Sequence, residues 1–259
     1  MSKQDQMTFI GHLDELRERL IRCVFVFAGG FLICYFLINS YVMDFLRQPL
    51  FSVLPPGEHK LYFTSLFENF MTHLKIAAVS SIFLFSPFYF YQLWAFIAPG
   101  LYPKERRYAL PFIVSGTVFF VAGGAFAYYI LFPVAFSFFV NFGLETDTPL
   151  LTIEAYYTTV LKLLLLFGFA FELPVIVSFL GFLGIIDGAM LREHRKHAIV
   201  GIAFLCAMFA PPDAISMVIL MVPLLLMYEG AIVVVSWFGA SRRSREEEET
   251  GVANRESRR

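Results

Sequence analysis

Residues 157–183 read YTTVLKLLLLFGFAFELPVIVSFLGFL, an apolar run long enough to cross a lipid bilayer as a single helix. The hydrocarbon core is about 30 Å thick, which takes about 20 apolar residues at a rise of about 1.5 Å each. One carboxyl group, Glu172, interrupts the run, and Pro174 follows two residues later. A charged group at this depth costs something like 2.5–3.5 kcal/mol. We therefore expect Glu172 to be neutral, paired or in contact with water.

The rest of the chain has the same composition as this run. Of its 259 residues, 58% are hydrophobic and only 16% are charged, and 32 are phenylalanine. This composition excludes a soluble protein and predicts an all-α membrane protein with six transmembrane helices. The six predicted spans run from Leu20 to Met43, Leu74 to Ala98, Ala109 to Pro133, Tyr157 to Leu183, His197 to Ala210 and Ala214 to Trp237.

The basic residues alternate between the connections of this helical bundle. Most lie in the N-terminal tail, in the loops at 99–108 and 184–196, and in the C-terminal tail, whereas the alternate loops hold only Arg47 and Lys60. Positive residues mark the cytoplasmic side, so both termini are predicted to be cytoplasmic. A charged segment precedes the first span and no small-residue cleavage site follows it, so we expect this span to remain as an anchor.

Three further features complete the predicted organisation. The pattern Ser65-x-x-Glu68 opens an apolar-aromatic helix and predicts a structured cap on the outer face. The last two spans are predicted to be short, because His197 to Pro211 rises only about 21 Å. Residues 1–237 are predicted to form the membrane domain, and 238–259 a charged, disordered cytoplasmic tail.

The first 22 residues contain an amphipathic helix. Thr8 is a candidate N-cap, and the apolar residues Ile10, Leu13, Leu16 and Leu20 recur at helical spacing, which predicts a helix lying on the inner surface. Its charges allow two i,i+4 pairs, Glu15 with Arg19 and Glu18 with Arg22, and one interpretation is simply a solvated, self-paired face. The 99–108 loop presents Glu105 among three basic residues, and its plain interpretation is a basic loop that sets the topology.

Four motifs in this chain, in this order, resemble the TatC family. They are HLDELRERL at 12–20, SPFYFYQLWAFIAPGLYPKERR at 86–107, FGFAFELPV at 167–175 and APPDAIS at 210–216. TatC is the multispanning subunit of the twin-arginine protein translocase, and the resemblance covers about 12–237. One departure is Met217, where relatives often carry a glutamine, and it weakens the transfer of a polar partner contact to that position.

The resemblance implies a receptor in the cytoplasmic (inner) membrane of a prokaryote, without catalytic activity, cofactor, metal or nucleic acid. TatC-like proteins bind twin-arginine signal peptides of folded precursors and assemble with TatA, TatB and further TatC copies in the lipid membrane for export driven by the proton-motive force. By position, the resemblance assigns signal-peptide binding to Glu15, Leu16, Arg17, Phe96, Pro99, Tyr102, Glu105 and Arg106. It assigns polar or partner contacts within the membrane to Glu172, Pro174 and Asp213.

Carboxylates suit this task because an arginine fork binds them in bidentate geometry. A single exposed ion pair contributes only roughly 0.2–1 kcal/mol, which is too little for a dedicated sorting signal. Something must therefore remove water from Glu15 and Glu105, and we expect Phe96 and Trp94 to do so. The apolar segment of the signal adds burial at about 25 cal/mol per Å².

Other interpretations stay open from the residues alone. Glu172 with the carbonyl freed by Pro174 forms either a satisfied kink or a polar notch facing a partner helix or water. A secondary transporter of a small solute or ion using Glu172 is the alternative function, although transporters usually show more charges in the membrane and often a repeat. The sequence has no HExxH and no GxSxG, and His194 with His197 is better explained by a basic loop than by a metal site.

Overall fold

The computed structural model describes residues 9–55, 59–100, 109–141, 150–182, 184–209 and 214–256. Within these ranges the regular structure is helical, apart from one isolated bridge between Tyr62 and Thr152. The helices are α1 (Phe9–Ile33), α2 (Asn39–Phe51), α3 (Leu66–Leu84), α4 (Ser86–Ile97), α5 (Ala109–Phe126), α6 (Phe132–Asn141), α7 (Ile153–Phe182), α8 (Gly188–Glu193), α9 (Arg195–Phe209) and α10 (Ala214–Glu256). Short π-helical segments, Cys34–Ile38 and Ala127–Leu131, join α1 to α2 and α5 to α6.

The predicted all-α membrane fold is confirmed. Four helical stretches in the described part of the chain are long and apolar enough to cross a membrane, and the pair α3 and α4, bent by 58°, is a broken fifth. With the 15 residues of α9, these correspond one to one to the six predicted spans. The four stretches are Gly11–Phe51, Ala109–Val140, Ile153–Gly181 and Met217–Trp237.

The last two spans differ from each other in length. At about 1.5 Å per residue, the 15-residue α9 rises only about 22 Å, as predicted. The final span is not short, because its apolar part alone covers 21 residues, Met217–Trp237. The helix then continues to Glu256 through residues that were expected to be irregular. Arginine and glutamate are good helix formers, and they are frequent in this tail, so the helix persists without an apolar face.

The chain divides into two compact units, Met1–Leu165 and Leu166–Arg259, and the boundary falls inside α7. Because α7 is one uninterrupted helix, no linker separates the units. The single membrane domain predicted over residues 1–237 stays a prediction.

In the first unit, tyrosine hydroxyls support the end of the first long helical stretch. Pro49 lies inside α2 and has no N–H to donate to the carbonyl of Phe45. The hydroxyl of Tyr128 donates to this carbonyl at 2.8 Å, and the two rings stack with centroids 4.1 Å apart. Two tyrosines of α7 donate to neighbouring carbonyls, Tyr156 to Leu46 at 2.6 Å and Tyr157 to Met43 at 2.9 Å. Buried backbone is therefore satisfied where the proline interrupts the helix.

The predicted capping box is confirmed, and its carboxylate also joins two helices. Glu68 is buried and accepts hydrogen bonds from the backbone N–H and the hydroxyl of Thr64, at 2.6 and 2.9 Å. It also accepts from the backbone N–H of Glu154, at 2.9 Å, in the first turn of α7. The carboxylate of Glu154 forms an ion pair with Lys75 of α3, with Oε1 and Nζ 3.0 Å apart. These contacts fasten the start of α3 to the start of α7.

The bend between α3 and α4 brings α4 close to α1. Pro87 in the first turn of α4 starts the new helix after the break. Gly30 of α1 lies against this bend, where a Cβ atom would fall 2.5 Å from the hydroxyl oxygen of Ser81 and 2.6 Å from the ring of Phe85. Only glycine permits such a close approach. The polar residues of α4 consequently lie beside the charged first turns of α1.

In the second unit, α10 packs closely on the segments before α9. A Cβ atom at Gly188 would lie 2.1 Å from the hydroxyl oxygen of Ser236, so this position also requires glycine. Tyr228 donates to the carbonyl of Leu191 at 2.8 Å, and Arg195 pairs with Glu229 at 2.6 Å. The outer surface of this unit remains strongly apolar, with Val200, Phe204 and Met208 exposed along α9 and Val222, Leu226, Val233 and Trp237 along α10.

Candidate functional site

The first turns of α1 separate an apolar face from a charged one. Leu13, Leu16 and Leu20 are exposed to the surroundings, as expected for a helix whose apolar side faces a membrane surface. Both predicted i,i+4 pairs are present, Glu15 with Arg19 and Glu18 with Arg22. They differ in environment. The side chains of Glu15 and Arg19 are only 16% and 20% exposed, whereas those of Glu18 and Arg22 are 66% and 53% exposed.

Glu15 and Arg19 are half-buried because they face α4, and Gln92 of α4 completes the cluster. The Nε of Arg19 donates to Oε1 of Glu15 at 3.0 Å, and its second terminal nitrogen contacts the same oxygen. The remaining terminal nitrogen donates to Oε1 of Gln92 at 3.3 Å. Gln92 is itself only 4% exposed. Arg19 therefore bridges the carboxylate of α1 and the amide of α4.

The second carboxylate oxygen of Glu15, Oε2, differs from Oε1 in its hydrogen bonding. Oε2 is buried, and no group in the described part of the chain donates a hydrogen bond to it. Nδ1 of His12 lies 3.9 Å from this oxygen, beyond hydrogen-bonding distance. A buried carboxylate oxygen without a donor costs free energy. Oε2 of Glu15 is therefore an unsatisfied acceptor that a donor from another molecule would stabilise.

Phe96, a predicted site residue, belongs to the same cluster. Its ring stacks on the imidazole of His12, with centroids 4.3 Å apart and planes inclined by 14°. The stack joins the end of α4 to the first turn of α1. Trp94, which was also expected to exclude water, is only 3% exposed and packs on Phe112 of α5 at 5.1 Å. Of these two aromatic residues, Phe96 therefore lies beside the cluster of Glu15, and Trp94 belongs to the core.

The structure places the other predicted residues of this group as follows. Leu16 and Arg17 are exposed on the same turn as Glu15 but outside its hydrogen-bonded cluster. Pro99 is half-buried in the short 3-10 turn Ala98–Gly100 that ends α4. Tyr102, Glu105 and Arg106 lie outside the described residues, as does Asp213.

Sequence reasoning missed three members of the cluster: His12, Arg19 as a bridge, and Gln92. The pairing of Arg19 with Glu15 was visible in the i,i+4 spacing, but its contact with α4 depends on how the two helices pack. A signal for Gln92 was available. It is the single amide within the aromatic segment SPFYFYQLWAF, and a polar side chain that such a segment buries usually has a hydrogen-bond partner.

Glu172, in the second unit, is the other carboxyl group of interest. It is 4% exposed on α7, and the helix passes through Pro174 without a break. The carbonyl of Pro174 accepts a hydrogen bond from the hydroxyl of Ser178. This polar group thus lies deep inside an apolar helix, as predicted, and the helix continues across the proline.

No group of three or more potential metal ligands occurs among the residues that the structure describes. His194 and His197 have ring centroids 5.7 Å apart, and Nδ1 of His194 interacts with the carbonyl of Met190.

Comparison with known proteins identifies what the chain is similar to. The family model described as Sec-independent protein translocase protein (TatC) matches residues 11–223. A protein of that name from Desulforapulum autotrophicum is 36% identical over 249 residues, covering 96% of this chain and 92% of its own length. The one from Azotobacter chroococcum is 39% identical, covering 95% and 94%. A crystal structure described as the twin arginine translocase receptor TatC superposes with a TM-score of 0.78 at 34% identity, covering 87% of this chain and 98% of the other.

Proposed function

Since this chain belongs to the TatC family of protein translocase subunits, we propose that its cytoplasmic face binds the twin-arginine signal peptide of folded precursor proteins through Glu15 and Glu105. The protein is a receptor subunit of the translocase and not an enzyme. The relatives described above give no support to the alternative of a small-solute transporter.

One observation carries the proposal: Glu15 combines a half-buried position with a carboxylate oxygen that has no donor in the described part of the chain. A hydrogen bond to a charged group contributes about 1.5–3 kcal/mol, against roughly 0.2–1 kcal/mol for an exposed ion pair. The half-buried position of Glu15 thus supports the desolvation that recognition of paired arginines requires. A guanidinium of the signal would provide the missing donor.

The remaining predicted residues complete this proposal. Tyr102, Glu105 and Arg106 follow the α4 turn closely in sequence, and Glu105 is the carboxylate proposed for the second arginine. Leu16 and the apolar face of α1 are suited to the apolar segment of the signal, whose burial adds about 25 cal/mol per Å². Arg17 stays a predicted member of this group.

We also propose assembly with single-span TatA and TatB proteins, with further TatC copies and with surrounding lipid. The exposed apolar side chains of α9 and α10 support the assignment of such contacts to the second unit. A short helix such as α9 leaves a mismatch with the bilayer that neighbouring helices relieve. Glu172, Pro174 and Asp213 stay the predicted polar contacts within or beside this region.

The test of recognition compares two precursors. A precursor with paired arginines should copurify with the protein from detergent-solubilised membranes, and replacement of both arginines by lysine should weaken its binding by at least about tenfold. The reason is that a planar guanidinium can donate to several acceptors at once, Oε2 of Glu15 among them, whereas an ammonium offers a point charge. A lysine precursor with its apolar segment also removed controls for nonspecific binding. Equal binding of the arginine and lysine precursors would contradict the carboxylate-fork mechanism.

The protein is a multispanning membrane protein, and we propose that it lies in the cytoplasmic membrane with both termini inside. Cysteine introduced at Ser244 should be labelled by a membrane-impermeant maleimide only from the cytoplasmic side, and cysteine at Asp147 only from outside, because the basic residues lie in alternate connections. Cys34 and Cys206 are buried and Cys23 is partly exposed, so the Cys23→Ser chain is the background. Labelling of Ser244→Cys from outside intact cells would reverse the topology.

A further inference from the structure

The cluster around Glu15 contains two residues that act on the carboxylate without themselves being offered to a ligand. Arg19 directs two nitrogens to Oε1 of Glu15 and its third to Gln92. Gln92 is 4% exposed, so this contact is shielded from solvent. We infer that Arg19 and Gln92 are positioning residues that occupy one oxygen of Glu15 and present the other, Oε2, as a single acceptor for an arginine of the signal peptide. This inference rests on the proposed function.

The geometry of the guanidinium explains why arginine is needed at position 19. Its nitrogens lie in one plane as a rigid fork, and the fork here spans two acceptors on two helices, Glu15 at 3.0 Å and Gln92 at 3.3 Å. Fixing both ends of the fork fixes the orientation of the Glu15 carboxylate. Without Gln92, Arg19 retains only the bond within its own helix, and such i,i+4 pairs contribute only about 0.3–0.5 kcal/mol when exposed.

The exposed pair Glu18 and Arg22, on the same helix, lacks the contact that Arg19 makes with Gln92. Glu18 and Arg22 have the same spacing and the same charges, but both are more than half exposed, and in the described part of the chain Arg22 makes no other side-chain hydrogen bond or ion pair. This pair is the solvated face that the sequence allowed for. The difference between the two pairs is the contact with α4, which selects Glu15 rather than Glu18 as the fixed carboxylate.

Occupation of one oxygen also changes how the signal is recognised. With Oε1 already holding Arg19, an incoming guanidinium meets one acceptor at Glu15 instead of two. Nδ1 of His12 lies 3.9 Å from Oε2, too far to donate a hydrogen bond, so this oxygen is left for a donor of the signal. The proposed site thus reads one arginine at Oε2 of Glu15 and leaves the other arginine to a second acceptor.

The direction in which Arg19→Gln changes precursor binding distinguishes positioning of Glu15 from simple competition for its carboxylate. If Arg19 merely competes with the signal for Glu15, then Arg19→Gln frees the carboxylate and binding becomes tighter. If Arg19 positions the carboxylate, the same change lets Glu15 rotate and binding becomes weaker. We expect Arg19→Gln and Gln92→Leu each to weaken precursor binding by about tenfold, the size expected for one charge-assisted hydrogen bond.

The experiment measures the affinity of the full-length protein, in membranes with its partner subunits, for a precursor carrying paired arginines. Gln92→Glu keeps an acceptor for Arg19 and is expected to bind within about twofold of the unsubstituted protein, and Arg22→Gln is the matched control on the exposed pair. Arg19→Lys keeps the charge but cannot span both acceptors, so it should resemble Arg19→Gln. Arg19→Lys also tests the positioning role if Gln92→Leu fails to insert into the membrane.

A double-mutant cycle separates positioning from a general effect on folding. Added to Glu15→Gln, the Gln92→Leu change should cause no further loss, because there is then no charged carboxylate to orient. An equal further loss, tighter binding by Arg19→Gln, or unchanged binding by both Gln92→Leu and Arg19→Lys would overturn the inference. Failure of the unsubstituted protein to prefer arginine over lysine precursors would instead overturn the proposed function itself.

Discussion

Replacement of Glu15 by alanine is expected to lower the affinity for a twin-arginine precursor by roughly 30-fold or more, while the protein stays inserted and abundant. Removal of one partner from a buried, hydrogen-bonded charge pair typically costs about 2–5 kcal/mol, and each 1.4 kcal/mol corresponds to about tenfold in affinity. Glu105→Ala is expected to weaken binding in the same direction. Site-specific crosslinking and direct titration with the precursor measure both effects.

The matched control is Glu18→Ala, because Glu18 lies on the same helix and pairs with Arg22 in the same i,i+4 geometry, but in solvent. Its loss should leave precursor binding within about twofold, since exposed pairs contribute little. A second variant, Glu15→Gln, keeps the shape of the side chain and removes only its charge, so it should bind nearly as poorly as Glu15→Ala. Full crosslinking by both Glu15→Ala and Glu105→Ala would contradict the assignment of the signal site.

The fold could be predicted from sequence because its physical cause is local. Each span is a run of apolar residues, and in hydrocarbon a backbone that lacks water must form a helix. The capping box at Ser65 was likewise readable, since its two hydrogen bonds lie within four residues. The additional bond from Glu68 to the backbone of Glu154 was not, because it joins segments 86 residues apart.

The site was only partly predictable for the same reason. Glu15 and its pairing with Arg19 follow from helical spacing, but the half-burial that distinguishes this pair from Glu18 and Arg22 comes from Gln92 on another helix. The burial of Trp94 has a similar origin. Sequence shows an indole near the end of a span, where the interface is the usual location, whereas packing on Phe112 buries it.

The C-terminal tail, residues 238–259, was predicted to be disordered because its sequence lacks an apolar pattern. The structure continues α10 from Trp237 to Glu256. Hydrophobic periodicity detects a helix that packs on a core. It does not detect a helix that forms only because its residues have high intrinsic helix propensity.

Glu172 provides the second large effect, and the comparison of two substitutions separates polarity from proton transfer. The side chain is 4% exposed within an apolar helix. If it contacts a partner helix or a wet hollow through hydrogen bonds alone, Glu172→Gln should keep most export, because an amide still donates and accepts. Glu172→Leu should lower export of a folded reporter by roughly tenfold, since loss of a buried hydrogen bond costs about 1–3 kcal/mol. A proton-carrying role predicts instead that Gln is as inactive as Leu, because neither side chain titrates.

The parallel measurements for these variants are export of the folded reporter, crosslinking to the precursor, and crosslinking to TatA or TatB. Binding of the signal should be spared in both variants, because the proposed signal site consists of Glu15 and its neighbours on α1 and α4, whereas Glu172 lies on α7. Ile176→Leu, an apolar exchange one turn further along α7, controls for altered packing of the helix. The loss in Glu172→Leu should therefore appear in partner crosslinking and in export together. Normal export by this variant would reduce Glu172 to a tolerated polar residue beside Pro174 and exclude both the hydrogen-bonding and the proton-carrying role.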